Sequence, residues 1–291
     1  MNINNIYQQF NSYNSIRSNS ANDMTKNSSL KYQYNLSVDT INFSSKDSVC
    51  CSKDTLSTLD KLYSSEFKKR ICKNEDGYYV TSVINKRTKK IMPIYVQKEY
   101  INDHFEKYNF YKKSIFNKYK QIGTRTFGID YDRKVITSGY MESMNNDKYA
   151  GIGLRGHQLA VERMIQLGFK NVEIVSLPNA FAFHYKSGFR PFVSPLHEPE
   201  RFDNYSLSEI IDYYADRYET DKKNIEKYID YEVVGDKILV NQSKLEGDLA
   251  VECLKNNKHI ILMYPTMTLP KNELEKWVNR AKSQPILLEA E

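Results

Sequence analysis

From Lys148 to Gly156 the chain reads Lys-Tyr-Ala-Gly-Ile-Gly-Leu-Arg-Gly, with glycines at 151, 153 and 156. Glycine lets a backbone approach a ligand closely. Where a helix starts at such a loop, its first free N–H groups point outward with the positive end of the helix dipole behind them. The chemistry this suits is the binding of a phosphate or pyrophosphate, with Lys148 and Arg155 adding charge-assisted contacts. Several readings of the loop stay open. The spacing spells the dinucleotide pattern G-x-G-x-x-G, with Glu173 at about the distance of a ribose-binding acid. Against it, Asn145-Asn146-Asp147-Lys148 puts a polar gap where an apolar strand should end, and Glu173 falls inside the next strand. A glycine turn into an ordinary surface helix is the second reading. A P-loop is excluded, because no Gly-Lys-Ser/Thr comes after it.

A third reading depends on the residues C-terminal to the loop. In order come a helical pattern from Gly153 to Gly168, the triplet Leu167-Gly168-Phe169, a strand over Asn171 to Leu177, and Asn179-Ala180-Phe181-Ala182-Phe183-His184-Tyr185-Lys186-Ser187-Gly188-Phe189. Taken together this stretch resembles the acyl-CoA-binding half of the GNAT acetyltransferase superfamily. That family's Arg/Gln-x-x-Gly-x-Gly/Ala loop is here Lys148-x-x-Gly151-x-Gly153, with lysine departing from the usual first residue. Its Ala-x-Ala-x-Tyr-x-Lys-x-Gly-Phe helix is matched from Ala180 to Phe189. The resemblance implies acetyl-CoA as cosubstrate and an amine-bearing acceptor: a small amine, an amino sugar, a peptide N-terminus or a lysine. It implies a sheet whose two central strands, one ending at Met144 and one spanning Val172–Leu177, splay to admit the pantetheine arm. Cofactor contacts are implied for Met144, Lys148, Tyr149, Ala150, Gly151, Ile152, Gly153, Leu154 and Arg155, and further on for Asn179 and Phe183.

Acetyl transfer to an amine needs a neutral nucleophile, a stabiliser for the oxyanion and an acid for the departing thiolate. The family resemblance implies direct attack in a ternary complex, with a carboxylate or ordered water as base and a tyrosine on the last helix as acid. The register places His184 at that tyrosine position and Tyr185 one residue on. Neighbouring helical residues point about 100° apart, so only one of them can face the thiol. An unperturbed histidine titrates near neutrality and suits acid work there. The carboxylate named as base is Glu142, because alternation along 140–144 puts Tyr140, Glu142 and Met144 on one strand face. The alternative function is a non-catalytic acyl-CoA-binding sensor that keeps the loop and lacks the acid.

These groups must be positioned by the elements around them. Gly77–Ile84 and Lys90–Val96 are rich in β-branched and aromatic residues and flank a turn at 85–88, which predicts a hairpin. Residues 98–120 place Tyr100, Phe105, Tyr108, Phe110, Tyr111, Ile115 and Tyr119 at mostly helical spacing, which predicts a helix broken at Gly123. Strands are predicted over Thr124–Tyr131 and Val135–Met144 around an Asp132-Arg133-Lys134 corner. Leu154, Val161, Met164 and Ile165 mark the loop helix, and Gly168 stands where a C-cap belongs. A helical turn is predicted over Ala180–Lys186, helix around Leu207–Tyr231, strands at Lys237–Val240 and His259–Tyr264, and a closing helix at Asn272–Ala281 with the single tryptophan, Trp277. The expected fold class is α/β (α+β): a GNAT-like mixed, mostly antiparallel sheet flanked by helices. The domain spans 61–291, with a helical insertion at about 192–251.

Composition agrees with a buried core and excludes other classes. The 291 residues are 40% apolar and 27% charged, enough for a globular domain and too rich for a fully disordered chain. A net charge of +6 is small for a phosphate-tracking protein, so no nucleic-acid partner is expected. No apolar run approaches the roughly 18 residues of a membrane span. The N-terminus lacks the basic start and apolar run of a secretory signal, and Cys50, Cys51, Cys72 and Cys253 show no metal-ligand spacing. A cytoplasmic protein with reduced thiols and no zinc is expected. Residues 1–60 contain no glycine or proline, and Ser and Asn make up 22 of them, which predicts a disordered segment.

Overall fold

The computed structural model describes residues 77–144, 148–195, 197–260 and 262–288. The disorder expected for residues 1–60, and Cys50, Cys51 and Cys72, lie outside them. The described residues fall into two compact units, one of residues 77–197 with 243–288 and one of Glu198–Gln242.

The larger unit opens with a five-stranded antiparallel meander: β1 (Tyr79–Asn85), β2 (Ile91–Asn102), β3 (Phe105–Lys113), β4 (Tyr119–Asp130) and β5 (Val135–Ser143). A short strand β6 (Tyr149–Ala150) precedes helix α1 (Ile152–Gln166), which leads into β7 (Asn171–Val175). A 3-10 turn (Pro178–Ala180) and helix α2 (Phe181–Lys186) come next, then β8 (Arg190–Pro191). The smaller unit holds β9 (Glu200–Asp203), α3 (Leu207–Arg217), α4 (Lys222–Tyr228), β10 (Tyr231–Val234) and β11 (Lys237–Val240). Helix α5 (Gln242–Lys255), β12 (Thr266–Thr268) and α6 (Lys271–Ser283) complete the chain.

Nine strands of the larger unit form one mixed, mostly antiparallel sheet in the order β6-β1-β2-β3-β4-β5-β7-β12-β8. Among the described residues its single parallel pair is β5 with β7. Helix α1 packs against β4, β5, β7 and α6. It ends as its sequence requires: Gly168 takes φ 64, and the N–H groups of Gly168 and Phe169 bond back to Ile165 and Met164. The core includes Leu159 and Val161 of this helix with Tyr108, Phe110, Phe127, Ile136, Val172 and Ile174 of the sheet, all fully or almost fully buried.

The smaller unit is a three-stranded antiparallel sheet, β10-β11-β9. Its α3 begins at a capping box: Ser206 Oγ accepts the Glu209 N–H, and the Glu209 carboxylate accepts the Ser206 N–H. Phe202, Ile210, Tyr214, Tyr218 and Ile225 are buried within it, and the Tyr214 hydroxyl donates to Glu200 at 2.7 Å.

Three elements differ from the sequence expectation. The helix expected over 98–120 is the end of β2, all of β3 and the start of β4. Aromatic residues occupy both faces of β3, which blurs the period of two: Tyr108 and Phe110 are buried beneath α1, while Tyr111 joins Tyr78, Tyr95 and Tyr119 in a ring cluster. Successive strand residues face opposite sides, and the register shift at this point is an extra residue in β4, Ile122. The strand expected over His259–Tyr264 is irregular where described, with Leu262 at φ 51, and the pairing falls on Thr266–Thr268. Helix α5 escapes the periodicity because Gly247 interrupts its pattern; a Cβ there would stand 2.7 Å from Pro191 Cβ, so the glycine serves close packing of α5 on β8.

Candidate functional site

The site is built where β5 and β7 part. Their parallel ladder has three rungs, Val135 with Asn171, Ile136 with Val172 and Thr137 with Glu173, and stops there. Beyond it, β5 carries a bulge: Ser138 opposes Phe127, but Met141 opposes Arg125, so one extra residue is inserted. Gly139 permits this, since a Cβ at that position would lie 2.7 Å from the Thr126 carbonyl oxygen. A bulge bends its strand, and here it coincides with the end of pairing to β7. The chain then crosses to the far edge of the sheet, where β6 pairs with β1 (Ile84 with Ala150, Asn85 with Tyr149), before α1 begins at Gly151. Gly151 has φ 105, a left-handed value that favours glycine. Among the described residues no side chain caps α1, and its first turn holds no acidic residue, so the helix does not neutralise its own positive end.

The residues expected at the acyl-CoA loop divide by environment. Lys148 is exposed and Gly151 half-buried; Tyr149, Ala150, Ile152 and Leu154 are buried in packing. Met144 is half-buried, and its N–H bonds to Ile122 O at 2.8 Å. A Cβ on Gly153 would meet Phe183 Cζ at 2.8 Å and Met141 Cε at 3.2 Å, so contact between α1 and α2 is itself a reason for glycine there. Asn179 is exposed in the 3-10 turn. Arg155 corrects the expectation of a surface cation beside the loop. It is buried, with Nε donating to Ser82 O at 3.0 Å, Nη1 to Gln158 Oε1 at 2.6 Å and Nη2 to Ser82 Oγ at 3.3 Å. Glu173 accepts from Arg133 Nη1 at 2.6 Å, so the acid required by the dinucleotide reading is held in a structural ion pair.

The three candidate catalytic side chains are not gathered at one point. His184 is buried, with Nδ1 3.1 Å from His157 Nε2. Burial, and then the nearby Arg125 charge, push its pKa down to about 3. At physiological pH the imidazole is neutral, which corrects the expectation of an acid titrating near neutrality: it stores no proton for a thiolate. Tyr185 is half-buried, and the Arg190 guanidinium stacks 4.1 Å over its ring. Glu142 is half-buried on β5 opposite Thr124. Its neighbour Met141 packs against α1, so alternation turns Glu142 to the other sheet face. There Thr124 Oγ1 and Gln121 Nε2 both donate to Asn109 Oδ1 at 3.1 Å, and Asn109 Nδ2 donates to Glu99 Oε2 at 3.0 Å.

The structure adds a buried cluster that the sequence pattern does not reveal. His157 lies on α1 inside a shell of rings: Phe183 stacked at 5.2 Å, Phe189 at 4.7 Å and Trp277 at 6.1 Å. Burial holds its pKa well below the usual value. Arg125 lies beside this cluster, with Cγ and Cδ 3.6 Å from where a Cβ on Gly156 would stand. The available signal is the spacing of Gly153, Gly156 and His157, which share one helix face at i, i+3 and i+4.

A second polar line runs along α1 from Arg155 through Gln158 to Glu162. Gln158 Nε2 donates to Glu162 Oε1 at 2.8 Å, and the carboxylate also accepts the Ile286 N–H at 2.9 Å and the N–H groups of Leu287 and Leu288. Burial raises the Glu162 pKa to about 7, against those four donors.

No family model matches the chain, and no curated protein matches it. Among solved structures, a nourseothricin acetyltransferase is similar at 12% identity and a TM-score of 0.28, over 66% of this chain and 84% of that one. Among the described residues no helix is long and apolar enough to cross a membrane, and no group of three His, Cys, Asp or Glu is placed to hold a metal ion.

Proposed function

We propose that the chain is an acyl-CoA-dependent acyltransferase of GNAT type, moving an acetyl group from acetyl-CoA to an amine by direct attack in a ternary complex. The observation that carries this reading is the coincidence of three features at one place. The β5/β7 ladder ends after three rungs, β5 bulges there, and α1, which starts at Gly151 with no side-chain cap among the described residues, sets Gly153 against Met141 of β5. A parallel ladder that stops short between β5 and β7 suits a pantetheine arm lying along β5, and the helix N-terminus suits its pyrophosphate.

In this reading the amine lone pair attacks the thioester carbonyl carbon, the carbon–sulfur bond breaks, and the ammonium proton and the thiolate are handled separately. Backbone N–H groups of β5 beyond the last rung are the donors suited to the carbonyl oxygen as it gains charge. We assign removal of the amine proton to Glu142 and proton delivery to the sulfur to Tyr185. His184, held neutral, supports α2 through His157 and delivers no proton itself. A binding-only module is the second reading, favoured by that same burial of His184.

The test is release of CoA thiol from acetyl-CoA with a panel of amines, alongside melting curves with acetyl-CoA and with NADH. Thiol release and an acetyl-CoA shift support the transferase. A shift without release from any amine supports the binding module, and no acetyl-CoA shift removes both.

A further inference from the structure

Arg125 is a buried cation with unpartnered nitrogens. It sits on β4 opposite Tyr108 and Met141 and is 1% exposed. Among the described residues its Nε and Nη2 have no hydrogen-bond partner, and neither does Nδ1 of His157 in the same cluster. Burial shifts the guanidinium downward to about 10, with no acidic group among the described residues acting on it. Proteins pair their buried polar groups almost without exception, and an orphaned buried charge is among the most unfavourable arrangements a core can hold.

The two orphaned nitrogens are not a random pair. Nε and Nη2 lie along one edge of the planar guanidinium, and their N–H bonds run parallel at the spacing of two carboxylate oxygens. The charge also matches. His157 and His184 are both neutral in this environment, so Arg125 supplies a single positive charge, which one carboxylate balances and a phosphate dianion exceeds. We infer that Arg125 anchors a buried site for a small-molecule carboxylate, bound bidentately on its Nε/Nη2 edge beside Nδ1 of His157.

The cover is movable. Met141 and Phe183 fill the space over Gly153 and Gly156, and both are side chains that can swing by rotation about χ1 and χ2. The site does not depend on thioester chemistry. The carboxylate has two possible sources, a free carboxylate or the carboxylate of an amine acceptor such as an amino acid.

The experiment is thermal melting of the full chain with sodium formate, sodium acetate, glycine and methylamine, with sodium chloride as the ionic-strength control, for the parent protein and for Arg125→Met and Arg125→Lys. A saturable rise of roughly 3–6 °C at about ten times Kd is expected with carboxylates in the parent, lost in both variants. Glycine acting at lower concentration than acetate, with methylamine inert, assigns the carboxylate to the acceptor; acetate acting as well as glycine assigns it to a free acid. Equal shifts in parent and variants, or none in the parent at ~0.1 M, overturn the site. If the variants do not fold, the Nε–H resonance of Arg125 in arginine-labelled parent protein decides: it moves with formate, or the site is wrong. No acetyl-CoA is present in these measurements, so failure of acyl transfer and failure of this site are told apart.

Discussion

The carboxylate of Glu162 accepts the backbone N–H of Ile286, 124 residues further along the chain, at 2.9 Å. Through it α1 holds the segment that comes after α6, and the bond ties the helix of the candidate site to the end of the chain. Because burial raises the folded-state pKa to about 7 from an ordinary value near 4.5, folding favours the protonated form. The stabilisation is complete below about pH 4.5 and is lost as pH rises through about 7, amounting to about 3 kcal/mol. Melting temperature should therefore fall between pH 5 and pH 8, and Glu162→Gln should flatten that part of the profile. An unchanged profile in the variant would place the titration elsewhere.

Gly153 should prove a packing residue before any ligand is added. With Phe183 Cζ 2.8 Å from its added Cβ, Gly153→Ala is expected to cost about 1–3 kcal/mol through overpacking. Phe183→Leu should recover part of that loss in the double variant, and the coupling from a double-mutant cycle measures it. Additive losses would mean that the two side chains do not share the space.

For the acid, Tyr185→Phe is expected to lower turnover by roughly 10², in line with general-acid contributions, while leaving acetyl-CoA affinity unchanged. His184→Ala should act on stability more than on chemistry. With its pKa near 3, His184 should give turnover no inflection between pH 5 and 8. A turnover that falls with rising pH across that range, and vanishes in His184→Ala, would return the role to the histidine.

Arg125→Met should be more stable than the parent in carboxylate-free buffer. Replacing a buried unpaired charge by an apolar side chain of similar length removes a desolvation penalty, and a gain of about 1–3 kcal/mol is expected from chemical denaturation. A loss of stability would show that the guanidinium is compensated in solution.

The features legible in the chain obey local rules. Leu154, Val161, Met164 and Ile165 with Gly168 define α1 to within a residue, and the β1/β2 hairpin rests on Asn85, whose side chain accepts the N–H groups of Arg87 and Thr88. The glycine loop is legible for the same reason. The inward turn of Arg155 is not, because its partner Ser82 lies 73 residues earlier and no helical period indicates which face a strand will cover. The cluster of Arg125, His157 and His184 is hidden in the same way. Its members sit on a strand and two helices, and charged or titratable residues at inward positions run against the pattern that reveals a core. The strand β3 mimics a helix because its aromatic residues face both ways.

The two residues of β6 close off part of the outer margin of β1, and the Lys86 N–H adds a bond to Lys148 O at 2.9 Å. An uncovered strand margin is a template for pairing with another chain, and natural sheets guard theirs. The stretch that leads into the glycine loop is therefore also a guard against self-association. Substitutions that loosen residues 148–150 should speed aggregation in solution even where the melting temperature is preserved, so selection on this loop answers to solubility as well as to whatever it binds.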